Sequence, residues 1–121
     1  MQTVEAISPT SITRITRLPA GLILLLLATP WCASCRLQES ILACISRRLS
    51  DRICILDVNI DCHPDAAQRF SVDQIPTMIL FAEGREVRRF VGLHSERQIL
   101  SAMRRDEAMR RRTAGSIRQS L

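Results

Sequence analysis

Lysine and tyrosine are missing from this 121-residue chain, and the only other aromatic side chains are three Phe and one Trp. The core must therefore be aliphatic, built mostly from Ile, Leu and Val. So few aromatics also argue against a nucleic-acid surface, which needs rings for bases to stack on, and no reader motif accompanies the basic residues. Long apolar runs are absent too. Gly21–Ala28 holds eight residues, against the roughly 20 that span a bilayer. Read as an export leader, that run would follow Arg14 and Arg17, but cleavage after it would remove a strand the fold needs. A cytoplasmic location is expected. A second CxxC and an HxxxH pattern are both lacking, and His63 and His94 are the only histidines. No metal site is expected from so few ligands.

What remains describes one ordinary globular domain. The chain is 46% hydrophobic and 24% charged, with a formal charge of +5. All 17 basic residues are Arg. Residues 1–96 balance ten Arg against ten acids, whereas 97–121 hold seven Arg against Asp106 and Glu107. The excess charge thus lies at the C-terminal end, where it could meet an acidic partner. A single domain is expected over 1–112, with 113–121 a flexible tail. Five cysteines cannot all pair within the chain, and Cys44, Cys54 and Cys62 are not spaced like a disulfide scaffold. A reducing compartment would keep them as thiols.

The apolar–polar stretch Val4–Ile7 reads as a first strand, and Ile12, Ile15 and Leu18 allow a helical turn. Leu22–Leu27 has no alternation, as in a strand covered on both faces. After Pro30 and Trp31, Leu37, Ile41, Cys44, Ile45 and Leu49 recur at helical spacing and are expected to face the core. Arg52–Asn59 reads as a strand, and Pro64 can open a short helix toward Phe70. Thr77–Phe81 and Val87–Val91 read as a hairpin closed by Glu83-Gly84. Ser95 and Gln98 are spaced as a capping box for a last helix that buries Ile99, Leu100 and Met103. Strands and helices in this order predict an α/β sandwich, with helices flanking a central mixed sheet.

Chemistry points to Cys32-Ala33-Ser34-Cys35, a CxxC at the start of a helix after a buried strand. Free N–H groups at a helix start stabilise negative charge. Cys32 is therefore the easier thiolate and the candidate nucleophile. Cys35, one turn further in, is placed to resolve a mixed disulfide. The two remaining readings of such a pair are half of a zinc site and two inert buried thiols.

The ordered set of motifs resembles the thioredoxin family from about residue 20 to residue 103. Trp31-Cys32-Ala33-Ser34-Cys35-Arg36 resembles its WCxxC and following basic residue. Val58-Asn59-Ile60-Asp61 with Pro64, Ile75-Pro76-Thr77, and Phe81, Glu83-Gly84 and Val91-Gly92 follow in family order. The resemblance implies a thioredoxin fold and a cis peptide bond before Pro76, in a loop facing the CxxC. It implies that Trp31, Ile75, Pro76 and Thr77 contact substrate, with Ile75 offering main chain to an extended peptide. The implied partners are protein disulfides and an electron donor, either a reductase protein or a small thiol. No organic cofactor or metal is required.

The chain departs from the family pattern at five places. Leu26 stands where thioredoxins proper carry a buried Asp, and Leu27-Ala28 replace an aromatic pair. Ala33-Ser34 replace Gly-Pro, Ser40 replaces a mid-helix proline, and Asp57 stands where a basic residue is common. Without the buried acid, deprotonation of Cys35 is expected to be slow. The leading function is a thiol–disulfide oxidoreductase that reduces protein disulfides. The rival is a binding, chaperone or assembly protein with incidental redox activity.

Overall fold

A strand with packing on both faces can bury six successive aliphatic side chains, and Leu22–Ala28 is such a strand. The computed structural model describes residues 2–4, 22–49 and 52–106. Along the chain run β1 (Gln2–Val4), β2 (Leu22–Ala28), helix α1 (Ala33–Leu49), β3 (Ile53–Asn59), helix α2 (Pro64–Arg69), β4 (Thr77–Ala82) and β5 (Arg85–Val91). Helix α3 covers residues 96–106. The sheet order is β1-β3-β2-β4-β5. β1 and β2 run parallel to β3, whereas β4 is antiparallel to both β2 and β5. This is the expected mixed α/β sandwich with β2 at its centre.

Alternate residues of β2 feed two cores, because successive side chains of a strand point to opposite faces. Leu24, Leu26 and Ala28 pack with Cys35, Leu42 and Ile45 of α1 and with Ile99 and Met103 of α3. Ile23, Leu25 and Leu27 pack on the other face with Ala66 of α2, Val58 and Phe81. Burying each of the Val, Leu, Ile, Phe and Met side chains among them contributes about 1.5–3 kcal/mol relative to leaving it exposed.

Local chemistry sets the boundaries. Glu83 and Gly84 both have positive φ, 54° and 78°, which suits the twist of a two-residue hairpin. A register shift at Leu80/Phe81 bulges β5 near Val87. The capping box forms in full: Ser95 N–H donates to Gln98 Oε1 at 2.9 Å, and Gln98 N–H to Ser95 Oγ at 3.2 Å. Arg88 of β5 ties α3 down through two bonds to Asp106, at 2.7 and 2.8 Å. Arg89 Nη1 donates to the Phe70 carbonyl just past α2, at 2.7 Å.

Three expectations are corrected. The first strand is Gln2–Val4 rather than Val4–Ile7, and residues 5–7 lie outside the described part of the chain. Strand β3 starts at Ile53 rather than Arg52. The buried stripe of α1 is Cys35, Gln38, Leu42 and Ile45, while Leu37 is 51% exposed. Ile41, Cys44 and Leu49 are half-buried at the edges of that stripe. The helix is rotated toward Gln38 because that side chain has partners waiting for it. Gln38 Nε2 donates to the His94 carbonyl at 3.0 Å, and the His94 N–H donates to Gln38 Oε1 at 2.8 Å. With both its amide nitrogen and its amide oxygen bonded, a polar side chain can sit at 0% exposure. The helical turn expected near 12–18, the Arg-rich stretch beyond 106 and the tail 113–121 lie outside the described residues.

Candidate active site

One end of the sheet gathers every candidate residue. The parallel strands β2 and β3 both finish there, and antiparallel β4 begins there after Ile75-Pro76. β5 returns to the same end at Val91. Ligands of α/β sheets collect beyond the carboxyl ends of parallel strands for this topological reason.

Cys32 is the residue immediately before α1. Its carbonyl accepts the Arg36 N–H at 3.1 Å, opening the helical ladder. Its sulfur accepts the Cys35 backbone N–H at 3.3 Å, as a capping oxygen would. Ser34 Oγ lies 3.2 Å from the same sulfur. Hydrogen bonding from Cys35, then from Ser34, pulls the Cys32 thiol below its ordinary range. Cys35 is fully buried in the α1-facing core. Burial first, and then its bond to Cys32, push the Cys35 thiol up to about 11. Sequence alone left open what replacing Gly-Pro would do. With Ala33-Ser34, both helix-start N–H groups remain and a hydroxyl is added beside the sulfur. Ser40 keeps its own backbone N–H and returns its hydroxyl to the Arg36 carbonyl at 3.2 Å. α1 accordingly runs its 17 residues as one helix.

Trp31 stands over this turn, 71% exposed. Its indole N–H donates to Asp61 Oδ2 at 2.7 Å. Asp61 is itself set by a bond from its N–H to Asn59 Oδ1 at 3.0 Å. The Ile75–Pro76 peptide bond is cis. Ile75 and Cys32 are both partly buried against the same core cluster. Thr77 Oγ1 donates to the Gln74 carbonyl at 2.6 Å, and the Gly92 N–H donates to the Pro76 carbonyl at 2.8 Å. Val91 and Leu93 add exposed apolar surface at this end, 49% and 44% accessible. The structure thus brings Trp31, Cys32, Cys35, Ile75, Pro76 and Thr77 to one end of the sheet.

Sequence reasoning missed three contributors. Asp61 enters the sequence reading only as the end of a family motif, though the Asn59-Ile60-Asp61 run is a turn signal that could have raised it. Ser34 was seen only as a departure. Gln38 carried no local signal, because its partner lies 56 residues away. His94, which the sequence offers only as a possible ligand, has a structural place. Its ring is half-buried, Nδ1 lies 2.9 Å from the Gly92 carbonyl, and the ring meets Phe90 edge-on at 5.3 Å. Cys44, expected to face the core, is half-buried, Cys54 is half-buried against the second core, and Cys62 is exposed. Arg47 Nη2 donates to Cys44 Sγ at 3.3 Å. All five cysteines are free thiols.

A partly buried, acidified thiol and a fully buried, raised one, three residues apart at a helix start, define a dithiol–disulfide exchange protein. The thioredoxin family model matches residues 6–105. A thioredoxin of Chlamydia trachomatis is 37% identical over 81 residues, covering 67% of this chain and 78% of that protein. A thioredoxin of Chlamydia caviae is 38% identical over 80 residues, covering 66% and 78%. Among solved structures, the Drosophila melanogaster germline thioredoxin Deadhead superposes with a TM-score of 0.68 at 25% identity, covering 76% of this chain and 87% of that one. This chain belongs to the thioredoxin family and is a thiol–disulfide oxidoreductase. Its partners are disulfide substrates and an electron donor.

Proposed function

We propose that the protein reduces disulfides in other proteins, with Cys32 attacking and Cys35 resolving. The observation that carries this assignment of roles is the split between the two thiols: Cys32 is lowered by hydrogen bonds at the helix start, and Cys35 is raised by burial. The Cys32 thiolate attacks one sulfur of a substrate disulfide and forms a mixed disulfide, and the displaced thiolate takes up a proton. Cys35 then loses its proton and attacks Cys32 Sγ, releasing the second substrate thiolate. Two electrons have passed to the substrate, and Cys32 and Cys35 are left joined. A reductase protein or a small thiol returns the pair to the dithiol. Trp31, Ile75, Pro76 and Thr77 form the substrate-contacting rim in this reading, with Ile75 presenting main chain to an extended segment.

Reduction of insulin by dithiothreitol tests the assignment. Cys32→Ser is expected to fall to the uncatalysed background, and Cys35→Ser to accumulate a mixed disulfide visible by mass. Background rates from the wild-type protein would favour the binding or assembly role instead. A reducing, cytoplasmic setting belongs to the same reading and is supported by the odd number of cysteines and by the spacing of Cys44, Cys54 and Cys62, which is not that of a disulfide scaffold. Among the described residues no helix is long and apolar enough to cross a membrane. The Arg excess of 97–121 suits an acidic partner and is offered for that role alone, because nothing accompanies it that would read a nucleic acid.

A further inference from the structure

Burial sets Cys35 a difficulty that the nucleophile does not share. In the reduced pair its thiol is raised to about 11, where thiolate amounts to about one molecule in ten thousand at neutral pH, and burial, the largest cause, persists once Cys32 is bound to substrate. A nearby base that takes the proton during attack removes that obstacle. Glu39 is an ionisable group whose charge acts on Cys35. Glu39 lies four residues further along α1, which places it one turn on and on the same side of the helix. It is half-buried and shares a side-chain hydrogen bond with Asp57 of β3.

The sheet register explains why Asp57 is there. Its partner on β2 is Leu26, and its partner on β1 is Thr3. Asp57 alternates with Ile53 and Ile55, which pack in the same core as Leu26 and Cys35, so it faces α1. The acid expected at Leu26 is present after all, on the neighbouring strand. Glu39, from α1, is the charged group that acts on Asp57, while β2 and β1 place Leu26 and Thr3 beside it.

We propose that the Glu39–Asp57 carboxyl pair accepts the Cys35 proton in the resolving step. The inference rests on the reductase reading above. The Cys35 S–H proton passes to the pair, directly or across one water. The sulfur's electrons form the bond to Cys32 Sγ, the bond from Cys32 to the substrate sulfur breaks, and the departing thiolate is protonated by the pair or by solvent. Two carboxyl groups joined by a hydrogen bond share one proton. Burial, and then Glu39, hold that proton on Asp57 up to about pH 7, so the pair becomes a base near neutrality.

The sign of the effect separates this role from simple electrostatics. Glu39's charge raises Cys35, so charge alone predicts that neutralising the pair speeds resolution. A proton acceptor predicts that it slows. Mixing the reduced full-length protein with a chromogenic aromatic disulfide yields a fast phase from Cys32 and a first-order second phase from Cys35. The second phase of wild type is expected to rise with pH through a midpoint near 7. Asp57→Asn and Glu39→Gln should keep the fast phase, lose that midpoint and slow the second phase at least about tenfold at pH 7.5. Slowing in either variant supports the proposal. A second phase in both variants as fast as wild type or faster, with the midpoint retained, overturns it. A wild-type protein that shows no second phase overturns the exchange reading itself, and the inference with it.

Discussion

Cys32 and Cys35 carry the same side chain three residues apart, and their surroundings make them different reagents. At this scale one hydroxyl matters. Ser34 Oγ is 3.2 Å from Cys32 Sγ and is the second contributor to its acidity after the Cys35 bond. A lowered thiol has more thiolate at neutral pH, so removing a stabilising bond must reduce reactivity there. Ser34→Ala is therefore expected to slow iodoacetamide alkylation of Cys32 at pH 7 by roughly threefold to tenfold. Above the raised pKa the two proteins should react alike. The direction could not be taken from the sequence, because Ala33-Ser34 shows which residues stand between the cysteines but not which way the Ser34 side chain turns.

Among the elements, α1 shows where pattern reading works and where it stops. Its position and length follow from the CxxC, the absence of internal proline and the apolar spacing. Its buried face does not. The stripe through Leu37, Ile41 and Cys44 and the stripe through Cys35, Gln38 and Leu42 are both reasonable at helical spacing. The choice was made by the 92–94 segment, which bonds Gln38 from both sides. Gln38→Ala strands the His94 N–H and carbonyl and is expected to cost about 1–3 kcal/mol. Leu37→Ala, at an exposed site, should stay within about 0.5 kcal/mol. Urea midpoints of the two variants would check the pair, and equal losses would contradict the observed rotation of the helix. The last helix behaved otherwise. Ser95 and Gln98 are near neighbours in the chain, so their capping box was legible and forms in full.

Over the whole molecule, Asp57 links the sheet to pH. Its pKa rises from 3.8 to about 7, chiefly through burial. Folding therefore favours the protonated acid. That contribution is fully present below the unfolded value and is lost as pH climbs toward about 7, above which the native state must hold an ionised, half-buried carboxylate. Allowing for partial exposure, wild type should lose about 1–2 kcal/mol of stability between pH 4 and pH 8 from this group. Asp57→Asn should lack that slope. Denaturant titrations of both proteins across the range would show it, and parallel curves would contradict it.

The sequence by itself determined the order of strands and helices, the hairpin at Glu83-Gly84, the family, and the pair Cys32 and Cys35. These follow from short-range patterns: apolar runs, proline and glycine positions, and spacings within one helical turn. The tertiary structure alone decided three other things. It rotated α1 onto Gln38, it set Asp61 under Trp31, and it put Asp57 beside Leu26. Each joins residues 30 or more positions apart in the chain, which no local pattern records. Leu26 looked like a lost acid because a sequence lists neighbours along one strand, whereas a sheet also makes neighbours across strands.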